Sequence, residues 1–186
     1  MRLVLAILAI SASLIILAVL VRHVIDAVRQ MRNVKTVRGL GARVIYDFQM
    51  HRSAREWLIH CDDTWWSRFF GPDFCGTIEH ISMSPDFSAQ RAPNSGDVAF
   101  LASSFKGLRG LLLEGREFGD EACSHIARMR FLEKLWLNNT DVSDHGLRQL
   151  SGLKSLTELR ILQSQISAGA LAELRRALPR CKVEIK

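Results

Sequence analysis

Residues 132–155 read LEKLWLNNTDVSDHGLRQLSGLKS, with apolar side chains at Leu132, Leu135, Leu137, Val142, Leu147, Leu150 and Leu153. Moving back 24 residues gives Leu108, Leu111, Leu113, Phe118, Cys123, Ile126 and Met129; moving forward 24 gives Leu156, Leu159, Ile161, Ile166, Leu171, Leu174 and Ala177. All seven positions stay apolar or thiol through three consecutive windows without a gap. A chain with this period folds by stacking units, because one unit has no partner for its own apolar face.

The period runs outward at both ends. Val183 and Ile185 fall on the two strand positions of a closing unit, and Ala99, Ala102 and Phe105 fall on the helical positions of an earlier one. Ile78, Ile81 and Met83 take the strand positions there if that unit is 30 residues long, with the surplus in the loop-like PDFSAQRAPNSG. The expectation is five parallel strands joined by four connecting segments. In L-x-x-L-x-L, alternate residues of a short strand point inward. Thr140 and Ser164 stand where the chain leaves the sheet and can hydrogen-bond backbone, Ser143 or Asp144 can cap the next helix, Ser167 the one after, and Pro179 ends the last. Arg116 occupies the position of Thr140 one unit earlier, which predicts an irregular turn there.

LEKLWLNNTDVSDHGLRQLSGLKSLTEL resembles the leucine-rich repeat, in the variant with T-x-V-S-D-x-G-L after the strand. The tail LAELRRALPRCKVEI resembles a closing unit, and LGARVIYDFQ with its aromatic sequel resembles the start of short membrane-anchored bacterial proteins of that kind. The resemblance covers about residues 42–186. It implies an α/β fold: a leucine-rich repeat solenoid with a parallel concave sheet of about five strands and short helices on the convex side. The units fall near 78–107, 108–131, 132–155 and 156–179, with a closing strand over 182–186. Such a scaffold implies binding, and its fold says little about the ligand.

The N-terminus adds a second expectation. From Leu3 to Val21 no residue is charged, a length close to the ~30 Å hydrocarbon core when helical. This reads as an uncleaved transmembrane anchor over residues 1–21; a cleaved signal peptide is the rival, with a shorter apolar region and a small-residue cleavage site. Arg22, Arg29, Arg32, Lys35 and Arg38 follow against one acid, Asp26, which predicts a single-pass protein with its body on the cytoplasmic side. Arg22, Arg29 and Arg32 could also meet anionic lipid headgroups. They supply much of the formal charge of +6, so that charge is not read as a nucleic-acid footprint. Residues 22–41 read as a basic amphipathic stalk or a linker, closed by Gly39 and Gly41. Residues 42–76 read as an N-terminal cap, with a strand signal in Val44, Tyr46 and Phe48 and an aromatic helical stretch after it.

Function is sought among the residues that packing leaves outward. On the three regular strands these are Gly110, Leu112 and Glu114; Lys134, Trp136 and Asn138; and Glu158, Arg160 and Leu162, with His80 and Ser82 continuing the surface. Residues 24 apart lie ~4.8 Å from each other across the sheet, so Leu112, Trp136 and Arg160 form one row and Lys134 stands beside Glu158. A Trp flanked by Leu and Arg has the composition of an interaction hot spot. The bland alternative is that Trp136 covers apolar sheet for stability. The expected partner is a protein bound through Trp136, Arg160, Leu112, Lys134, Asn138, Glu114, Glu158 and Leu162, with no cofactor.

Metal and enzyme chemistry find little. His60, Cys61, Cys75 and His80 match no zinc spacing, and the four cysteines show no paired motif. Cys123 aligns with Leu147 and Leu171 and reads as core. Asp62 and Asp63 read as a helix cap, and Gly39-Leu40-Gly41 lacks the residues of a phosphate loop. The expectation is a non-enzymatic, membrane-anchored interaction module, or else a structural, envelope-organising protein without a dedicated ligand.

Overall fold

The computed structural model describes residues 2–46, 78–84, 91–162 and 166–185, with side-chain detail beginning at Leu14. The chain runs α1 (Arg2–Gly39), β1 (Arg43–Tyr46), β2 (Ile78–Met83), α2 (Ser95–Ser104), β3 (Gly110–Glu114), α3 (Asp120–Ile126), β4 (Lys134–Asn138), α4 (Asp144–Gln149), β5 (Glu158–Leu162), α5 (Ala168–Ala177) and β6 (Lys182–Ile185). The strands form one sheet in sequence order, with β2 to β6 parallel and β1 antiparallel to β2. The most of the expected cap that lies beyond Tyr46, with His60, Cys61, Asp62, Asp63 and Cys75, falls outside the described residues, as does Ser164.

The sheet packs one face against the helices. Leu111, Leu135 and Leu159 form one inward row and Leu113, Leu137 and Ile161 the next, each at most 2% exposed. Helix phase follows local capping. Before α2, the Asn94 side chain accepts from Gly96 N–H and Asp97 returns to the Asn94 N–H at 2.8 Å, a reciprocal pair that satisfies two helix-start donors. That start rotates α2 so that Val98 and Leu101 are its deepest residues, while Ala99 and Ala102 are only half-buried. Ser143 and Ser167 cap α4 and α5, and each also donates its hydroxyl to the aspartate that opens the preceding helix, Asp120 and Asp144, at 2.6 Å. Thr140 is buried, and its hydroxyl has no hydrogen-bond partner among the described residues.

The turns out of the sheet use a left-handed residue. Gly115 (φ 125°) follows β3 and Asn139 (φ 51°) follows β4, a region that Gly and Asn tolerate. Their N–H groups bond to the carbonyls of Asn138 and Leu162 on the next strand. Gly115 thus supplies the irregular turn next to Arg116.

Two expectations are corrected. In place of an all-parallel leucine-rich repeat solenoid of about five strands, the fold is α/β on a six-stranded mixed sheet. The sixth strand arises because α1 ends at the sheet edge. Gly41, at φ 78°, closes the helix with Gly41 N–H to Arg38 O at 3.0 Å and Ala42 N–H to Val37 O at 3.3 Å, and the chain turns directly into β1. The connections also differ in helix length, from six residues in α4 to ten in α2 and α5, so they do not repeat one unit.

The second correction concerns the membrane. Among the described residues no helix is long and apolar enough to cross a membrane. Any 18-residue stretch of α1 counted from Leu14 or later, up to one that starts at Arg22, contains Arg22, Asp26 and Arg29, three charges that hydrocarbon does not accept. Residues 3–13 of the expected span have side chains outside the described set. The transmembrane anchor, the single-pass topology and the cytoplasmic placement that rests on them are therefore not supported. At its other end α1 belongs to the core: Val34 and Val37 are fully buried.

Candidate partner-binding face

The opposite face of the sheet is open among the described residues, and strand register fixes its two main rows. One runs His80, Gly110, Lys134, Glu158 and Lys182; the other runs Ser82, Leu112, Trp136, Arg160 and Glu184. Antiparallel pairing sets Arg43 of β1 opposite Ser82, on the same face. A third row holds Glu114, Asn138 and Leu162.

The β4–β6 half is internally neutralised. Trp136 Nε1 donates to Glu158 Oε1 at 3.0 Å, and the Arg160 guanidinium lies over the indole, 5.4 Å from its centroid. Arg160 is 3.4 Å from Glu158 and donates from Nε to Glu184 at 3.1 Å, and Lys182 lies 2.6 Å from Glu184. The Glu184 carboxyl is held below the usual range, first by the Lys182 hydrogen bond and charge. Glu158 is therefore Lys134's neighbour in register, yet its carboxylate serves Trp136 and Arg160.

The β1–β4 half is different. His80 lies across Gly110 so closely that any Cβ there would overlap its ring. Burial pushes the His80 imidazole below its ordinary value; Glu79 opposes this, Lys134 adds to it and Glu133 opposes it. Arg109 occupies both nearby acids, at 3.8 Å from Glu79 and 3.0 Å from Glu133. Lys134 and Arg43 have no ion pair among the described residues. A cavity of about 280 Å³ opens here between Arg43, His80, Ser82, Leu112, Lys134 and Trp136.

Of the eight residues expected on this face, Leu112, Lys134, Trp136, Glu158 and Arg160 gather around the two main rows. Asn138, Glu114 and Leu162 lie one row further on; Glu114 is exposed, and Asn138 Oδ1 is buried without a hydrogen-bond partner among the described residues. Sequence reasoning left out Lys182 and Glu184, although 24-residue spacing from Glu158 and Arg160 leads to both. Arg43 lies outside that period, and no spacing signal marks it.

Both cysteines among the described residues are shifted away from the thiolate form. Burial, then the Asp120 charge, pushes Cys123 up to about 12, and burial also raises half-buried Cys181. Among the described residues no group of three His, Cys, Asp or Glu side chains could hold a metal ion. Comparison with protein-family models gives no match, and comparison with curated proteins gives none.

Proposed function

We propose that this chain is a non-enzymatic interaction module that binds a protein partner on the open face of its sheet, centred on Trp136. The observation that carries the reading is the state of that indole: half-exposed, its N–H fixed by Glu158 and its ring covered on one side by Arg160. A rigid aromatic side chain beside a cavity offers large contact area with little ordering left to do on binding.

The test is photo-crosslinking from position 82, beside the cavity on the open face, with position 121 on the exposed side of α3 as control. Expected is a partner adduct from position 82 that disappears with Trp136→Ala while the circular dichroism spectrum and melting midpoint stay close to wild type. Adducts of equal yield from both positions, or adducts that survive Trp136→Ala, sink the reading.

A structural protein that acts by self-association is the second reading. Ten apolar side chains between Leu14 and Val28 are 46–65% exposed on α1, far more than a lone helix ordinarily shows water. Sedimentation of the full chain across a concentration series decides it, since a monomer throughout excludes self-association.

A further inference from the structure

We propose that the β1–β4 half of the open face takes an extended acidic segment of the partner, carrying two carboxylates four residues apart and an apolar side chain midway between them. The inference rests on the partner-binding reading of this face and specifies its ligand. Charge compensation on the face is one-sided. Arg160 and Lys182 are answered by Glu158 and Glu184, whereas Lys134 and Arg43 border the cavity with no acid in ion-pair reach among the described residues. The two acids nearest His80, Glu79 and Glu133, are taken by Arg109.

The spacing then follows from the sheet. Arg43 on β1 and Lys134 on β4 stand three strand intervals apart across the sheet and two residues apart along it, roughly 16 Å. An extended segment crossing the strands covers roughly 13 Å in four residues, and the two long cationic side chains close the remainder. The side chain midway falls over Leu112, beside the His80 ring. The His80 ring fills the space over Gly110, and beside it Leu112 and Trp136 give the side chain an apolar wall. His80 presents a neutral ring at neutral pH, so it adds a hydrogen-bonding group and no charge. A basic segment would meet two cations that have no acid partner among the described residues, and a neutral one would leave them unanswered.

The test uses fluorescein-labelled heptapeptides and the full chain, read by fluorescence anisotropy. The probe is Gly-Asp-Ser-Leu-Ser-Asp-Gly; its comparators carry Asn for both Asp, or Ser for Leu. Expected is that the acidic probe binds at least about tenfold tighter than the Asn probe, a preference that shrinks with added salt. Lys134→Gln and Arg43→Gln each lower that preference, while Arg175→Gln, an exposed cation on α5, leaves it unchanged. Both glutamine variants replace surface side chains, and an unchanged melting midpoint shows that they fold. Equal binding of the acidic and Asn probes, an equal loss with Arg175→Gln, or no binding of the acidic probe at millimolar protein overturns the proposal. If it is overturned while crosslinking from position 82 still depends on Trp136, the face binds a partner of other chemistry. If that dependence is absent too, both readings fall.

Discussion

Two glycines separate structural from surface roles at single positions. A Cβ on Gly146 would sit 2.2 Å from Asp120 Oδ1 and 3.1 Å from Asp120 Cα. That carboxylate cannot move aside freely, since it accepts from Ser143 N–H at 2.8 Å and from the Ser143 hydroxyl at 2.6 Å. Gly146→Ala is therefore expected to destabilise the fold by about 1–3 kcal/mol in chemical denaturation. In an Asp120→Ala background the increment should shrink, and strict additivity of the two changes would show that the clash is not its cause. Gly110→Ala should behave differently. Its obstacle is the His80 ring, which can swing toward the cavity, so stability changes little while the cavity is reshaped. The 24-residue spacing makes the Leu112, Trp136 and Arg160 row legible from sequence alone. That Glu158 turns to Trp136 and not to Lys134, and that His80 lies over Gly110, depend on rotamers that no spacing encodes.

At the level of elements, the two capping serines do double duty. Ser143 and Ser167 each accept an N–H of their own helix, from His145 and Ala170, and donate to the aspartate at the start of the helix before. Replacing either with Ala removes a cap and a clamp between neighbours, with an expected loss of about 1–2 kcal/mol. The clamps also carry a pH dependence. Burial would raise Asp120, but the Ser143 hydroxyl and N–H and the Gly146 N–H outweigh it; Asp144 is lowered first by the Ser167 hydroxyl. Both folded pKa values lie below the unfolded one of about 3.9, so their contribution is complete above roughly pH 5 and is lost as pH falls through 4 and below. Ser143→Ala with Ser167→Ala should flatten the acid limb of a stability-against-pH profile. Asp97, lowered by Arg91 and the Asn94 N–H against burial, keeps a residual slope. An unchanged acid limb in the double variant would falsify the clamp. Sequence pattern finds these serines because capping is local chemistry. It misses the phase of α2, where Ala99 and Ala102 match the period yet Val98 and Leu101 are buried, because the Asn94–Asp97 cap sets the helix's rotation.

For the whole molecule, the question is where the folding unit begins. The recurrence of Val24, Val28, Met31, Val34 and Val37 makes a helix legible in the sequence, but not which stretch of it docks. The apolar run before Arg22 suggests a boundary near that residue, whereas packing sets it later: Val28 is 47% exposed, and Val34 and Val37 are completely covered. From there the Gly41 turn delivers β1 to the sheet edge beside β2. A chain starting at residue 29 should then keep a melting midpoint within a few degrees of the full chain. One starting at residue 40 loses both valines from the core, worth about 1.5–3 kcal/mol each as an upper bound, and leaves the inner face of β1 and β2 uncovered. Its midpoint should fall well below that of the longer chain, and Val44, which pairs with Ile81 at that edge, should lose hydrogen-exchange protection before the β4–β5 pair does. Equal midpoints for the two truncations would show that α1 ends outside the cooperative unit, and that the sheet closes its own edge.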